Sequence, residues 1–123
     1  MKEKTVDLSI EKNGAATVIR IQTTRVIYPL LPALAEKTRA EVERGARSLL
    51  LDLSAVSYID SATIGCIMDI YRLAQEQGGA LHILAPQARV ETMLSMAGVH
   101  KIIPIFREEE EAVRAFATSS GKQ

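Results

Sequence analysis

The chain has 123 residues, 47% of them hydrophobic and 24% charged, which predicts one compact domain able to bury roughly two-thirds of the surface its unfolded chain exposes. Fifteen Lys and Arg balance fifteen Asp and Glu, so no surplus positive charge is available to neutralise phosphates, and direct nucleic-acid binding is not expected. The longest stretch free of charged side chains, Gln77–Ala88, is broken by Gly78, Gly79 and Pro86 and is shorter than the ~20 apolar residues of a membrane span, so no membrane insertion is expected either.

Val6, Leu8 and Ile10 alternate with Asp7, Ser9 and Glu11, and the alternation resumes over Ala16–Gln22 after the turn signal Asn13-Gly14. This pattern predicts an opening β-hairpin. The next stretch, Thr23–Pro32, has no clear period. Leu31, Leu34, Ala35, Thr38 and Val42 then recur on one helical face, which predicts a helix to about Arg44, stopped at Gly45. Ser48–Leu53 is a short apolar run, expected as a central strand covered on both faces.

Ile64, Ile67, Met68, Tyr71 and Ala74 mark a second helix over 61–77, closed by Gly78-Gly79. Ala80–Leu84 is expected as a strand, and Gln87–Ala97 as a helix carrying Val90, Met93, Leu94 and Ala97 and ended by Gly98. Ile102–Phe106 is expected as a last strand. The acidic run Glu108–Glu111 opens a final helix whose Val113, Phe116 and Ala117 are expected to face inward, because acidic side chains suit a helix N-terminus. Helices alternating with strands predict an α/β fold with a mainly parallel sheet, mixed through its opening hairpin. A single domain over residues 1–118 is expected, followed by a flexible tail at 119–123.

Few catalytic arrangements are supported. No glycine-rich phosphate loop is present, and Cys66, His82 and His100 lack metal-ligand spacing. No metal, no cofactor and no catalytic residue is therefore expected, and the chain is read as a non-enzyme. Cys66 lies inside a predicted helix, as a small core residue would. The one cysteine and the absence of a signal-like segment at Met1–Lys4 point to a reducing cytoplasm.

The informative segment is Asp52–Gly65, DLSAVSYIDSATIG, where a strand ends and Asp60-Ser61 stands at the start of the next helix. Both side chains are suited to accept hydrogen bonds from the unpaired N–H groups there. A hydroxyl at that position is open to modification, and a phosphate would lie in the favourable field of the helix N-terminus. It would also add about 1.5 to 2 negative charges to the surface.

At these residues the sequence resembles the STAS family, and within it the bacterial anti-sigma factor antagonists. The resemblance runs through SLLLDLSAVSYIDSATIG, QEQGG, ALHILAP and VETMLSMAGVHKIIPIF. It implies a mixed sheet with helices packed mainly on one side. It also implies a partner switch: the antagonist binds an anti-sigma factor serine kinase, phosphorylation at the position of Ser61 releases it, and a PP2C-type phosphatase restores it. Asp60, Ser61, Ala62, Thr63, Ile64 and Tyr28 are the expected partner-binding residues, and a homodimer is compatible with the resemblance.

Two departures bear on that expectation. Thr63 stands where family members carry glycine, as a plain helix residue or a second phosphoacceptor. TTRVIYPLLPAL replaces the usual turn after the second strand, so that Val26, Ile27, Tyr28, Leu30 and Leu31 form an apolar lip that either docks a partner or folds over the core. The alternative function is a STAS subunit bracing a membrane transporter, though its members often lack a serine at the position of Ser61.

Overall fold

The computed structural model describes residues 6–120. Strands β1 (Leu8–Asn13) and β2 (Ala16–Ile21) form the expected antiparallel hairpin, with Asn13 opposite Ala16. Gly14 turns it at φ +61°, a conformation that costs glycine little. After β3 (Arg25–Val26) and a 3-10 turn at Tyr28–Leu30, helix α1 spans Leu31–Glu43. Strand β4 (Ser48–Asp52), β5 (Tyr58–Ile59), helix α2 (Ser61–Glu76), β6 (Ala80–Leu84), α3 (Ala88–Met96), β7 (Ile105–Phe106) and α4 (Glu109–Ser120) follow.

The main sheet has the order β1-β2-β4-β6-β7, antiparallel in the hairpin and parallel elsewhere, which puts β4 at its centre. Alternate residues of the strands serve opposite faces. Ile19, Ile21, Leu49, Leu51, Leu81 and Ile83 join Leu34 of α1, Ile67 and Ile70 of α2, and Val90 and Leu94 of α3 in the larger core. Val18, Leu50 and Leu84 meet Ala112 and Phe116 of α4 on the other face. Three helices therefore cover one face and a single helix the other, in agreement with the expected mixed sheet.

Several local expectations are corrected. Residues 99–101 form a 3-10 turn and Ile102 is exposed, so the last strand shrinks to Ile105–Phe106. Pro104 has no N–H to give a ladder, although its carbonyl accepts from Ile83 N–H at 2.9 Å. In α2 the buried residues are Thr63, Cys66, Ile67, Ile70 and Ala74, while Ile64, Met68 and Tyr71 are half-buried against the rim of the core. The helix is rotated from the predicted stripe because α1 packs beside it and the sheet beneath it.

Ala112, not Ala117, joins Phe116 inside. Helix α4 continues to Ser120, so residues 119 and 120 of the expected tail are helical, and 121–123 lie outside the described residues. Gly79 lies so close to β4's approach that a Cβ would run into the Arg47 carbonyl, which accepts the Ala80 N–H at 2.8 Å.

Candidate functional site

A second, two-stranded sheet builds the junction that leads into α2. β3 pairs in parallel with β5, Arg25 opposite Tyr58 and Val26 opposite Ile59. The N–H groups of Ser57 and Tyr58 donate to the Thr24 carbonyl at 2.8 and 3.2 Å, and the Arg25 guanidinium lies 4.5 Å over the Tyr58 ring. Tyr58 and Ile59 thus arrive extended, and Asp60 keeps an extended backbone (φ −111°, ψ 178°) as the N-cap of α2.

Asp60 uses both carboxylate oxygens. Oδ1 accepts from the Thr63 N–H at 2.9 Å and lies 2.7 Å from the Thr63 hydroxyl, satisfying a backbone donor that the first turn leaves open. Oδ2 accepts from the Tyr28 N–H at 3.0 Å, 32 positions away in sequence. The Thr63 hydroxyl also lies 2.6 Å from the Val26 carbonyl. Asp60 and Thr63 together pin the residue 26–28 segment to the start of α2. Burial works against the charged carboxyl of Asp60, but the Thr63 hydroxyl, the Tyr28 N–H and the Thr63 N–H outweigh it and hold the group below its ordinary value.

Ser61 occupies the first position of α2. It is exposed, and its hydroxyl makes no hydrogen bond to the described residues. The expectation that both Asp60 and Ser61 cap the helix is thus met by Asp60 alone, which leaves the Ser61 hydroxyl open to solvent. Ala62 and Ile64 are half-buried. Thr63 is 2% exposed and turned inward, so its hydroxyl is closed to a modifying enzyme in this conformation and any part it has in a partner face is indirect.

The lip divides between the two roles foreseen for it. Val26 and Leu31 are buried in the core, Ile27 and Leu30 are half-buried, and Tyr28 stands 69% exposed. Sequence reasoning placed Tyr28 in the site but missed what positions it, because no local period marks a backbone N–H that pairs with a distant carboxylate.

Two of the other reactive side chains, Cys66 and His82, serve the interior. Cys66 belongs to the core, and burial followed by the charge of Asp69 pushes its thiol up to about 11, so it is not an activated nucleophile. His82 is 1% exposed, stacks on Phe116 with 3.9 Å between ring centroids, and has Nδ1 3.1 Å from the Ala112 carbonyl. His100 is exposed in the 3-10 turn. Among the described residues no group of three His, Cys, Asp or Glu side chains could hold a metal ion, and no helix is long and apolar enough to cross a membrane.

The model of the STAS domain matches residues 7–112. The chain belongs to the STAS domain family. A Thermotoga neapolitana protein described as a candidate anti-sigma factor antagonist is 33% identical over 72 residues, 58% of this chain and 64% of that protein, so the match spans less than two-thirds of that relative. The anti-sigma-B factor antagonist of Bacillus subtilis is 31% identical over 109 residues, 89% of this chain and 98% of its own length. The structure of the anti-sigma factor antagonist SpoIIAA in its unphosphorylated form superposes with a TM-score of 0.78 at 18% identity, covering 91% of this chain and 97% of that one. At that identity the likeness establishes the STAS fold.

Proposed function

We propose that this STAS domain is an anti-sigma factor antagonist that binds an anti-sigma factor serine kinase, and that phosphorylation of Ser61 ends the binding. The observation that carries the reading is the exposed, unbonded Ser61 hydroxyl at the first position of α2. The names of the curated relatives support its coarser part, antagonism of an anti-sigma factor. In the reaction the γ-phosphoryl group of ATP passes to Ser61 Oγ. The bond to the β-phosphate breaks, ADP leaves, and the serine proton is taken up by a base on the kinase.

The phosphoserine sits where α2 presents unpaired N–H groups, so the domain itself tolerates the charge. The surface around it, formed by Asp60, Ala62, Ile64 and the exposed Tyr28, gains about 1.5 to 2 negative charges and becomes unfavourable to an acidic or apolar partner face. A PP2C-type phosphatase restores the hydroxyl by hydrolysis. The transporter-bracing alternative has less support, since the curated relatives carry the name of anti-sigma factor antagonists.

The test combines the protein with a candidate kinase and ATP, followed by mass spectrometry. One phosphate is expected, located at Ser61. Ser61→Ala keeps binding and loses the label, and Ser61→Asp binds at least about tenfold more weakly, equivalent to ~1.4 kcal/mol. Equal binding of Ser61→Asp and the parent would overturn the proposal, as would a label on another residue.

A further inference from the structure

Asp60 connects two segments that are far apart in sequence. Its Oδ1 caps α2 through Thr63, and its Oδ2 holds the Tyr28 N–H. Tyr28 opens the 3-10 turn Tyr28–Leu30, whose own closing hydrogen bond runs from Leu30 N–H to the Ile27 carbonyl at 2.9 Å. The Tyr28 ring stands out from this turn, 69% exposed. Ser61, next in sequence to Asp60, is exposed at the same junction.

We propose that Asp60 acts as a clasp on the Tyr28 turn, and that a phosphate on Ser61 opens it. This deepens the reading of Ser61 as the phosphoacceptor and rests on it. Two anions then compete for one helix start. The phosphate is the more highly charged acceptor for the N–H groups of the first turn, and it repels the adjacent carboxylate. Asp60 swings away from Thr63, and its other oxygen leaves the Tyr28 N–H.

The strand pair β3–β5 and the contact between Thr63 and Val26 stay in place. Release is therefore confined to the turn that carries the exposed ring. Phosphorylation changes the position of an aromatic side chain as well as the local charge, so a partner that rests on both Ser61 and Tyr28 loses two contacts together. Asp60 is a positioning residue in this scheme, acting through Tyr28.

The experiment places phosphoserine at position 61 of the full chain by codon reassignment, which requires no kinase, and measures amide exchange with solvent by NMR. The Tyr28 amide is expected to exchange about 10- to 100-fold faster than in the parent, the range for loss of a hydrogen bond to a charged acceptor, with the Leu51 amide unchanged. Asp60→Ala in the unmodified protein should move the Tyr28 amide in the same direction. A Tyr28 amide that keeps its parent rate beside phosphoserine overturns the clasp.

Binding of the same forms to the anti-sigma factor separates this proposal from the one it rests on. Weakened binding with an unmoved Tyr28 amide retains the switch and rejects the clasp. A freed Tyr28 amide with parent-like binding retains the clasp and rejects the switch.

Discussion

The face of the sheet under α1, α2 and α3 is closed by interlocking aliphatic side chains, among them Leu34, Ile67, Ile70 and Leu94, whereas the face under α4 relies on two small attachments of different chemistry. At one end of α4, Glu109 takes Arg20 through both carboxylate oxygens at 3.0 Å, and Arg20 also reaches Asp52 and Glu11 at 2.9 Å. Asn13 adds a hydrogen bond to Glu109 at 2.8 Å. Further along, Phe116 stacks on His82 and Ala112 packs in the small core. The first face is secured by area, the second by geometry, so a single side chain matters differently on each.

Leu51→Ala tests the aliphatic face and is expected to have the largest effect, about 2 to 5 kcal/mol of global stability. Urea unfolding with an unchanged slope would show it as one cooperative loss. Arg20→Met tests the polar attachment. Asp52, 7% exposed, loses its guanidinium and Glu109 loses its anchor, at a cost of about 1 to 3 kcal/mol. Amide exchange should quicken at Ala112–Phe116 before it does in β4. Uniform quickening throughout the chain would mean that α4 is not separately held.

The smallest effect concerns His82. Burial pushes its imidazole below the ordinary value of 6.5, against the opposing Ala112 carbonyl. The folded state therefore prefers the neutral ring. The full contribution is present above the ordinary histidine range and is lost as pH falls below 6.5 toward the lower folded value. Between about pH 7.5 and about pH 5.5, His82→Phe should lose less stability than the parent, the difference staying under the single-proton slope of about 1.4 kcal/mol per pH unit. An identical pH dependence in both proteins would place the sensitivity elsewhere.

The same contrast decides what the sequence revealed. The hairpin, α1, β4, α2, β6 and α3 are written in local periods and caps, and they lie where those signals put them. β3 and β5 are two residues each, too short for any period, and they exist only because Arg25 and Val26 meet Tyr58 and Ile59 across 33 positions. At the junction, Asp60 was legible as a cap because its partner Thr63 is three residues on. Its bond to Tyr28 and the contact of Thr63 with Val26 were not, since nothing within one turn of chain requires them. Glu109 looked like a residue serving the helix dipole, and its pairing with Arg20 needed the sheet to bring the two together.

The order of the main sheet has a kinetic consequence. Only β1 and β2 can find each other through a tight turn; every later neighbour is parallel and must wait for a helical crossover to close. The hairpin is thus expected to be the quickest part of the sheet to assemble, and the central strand, with partners on both sides that require such closures, is expected to pair later.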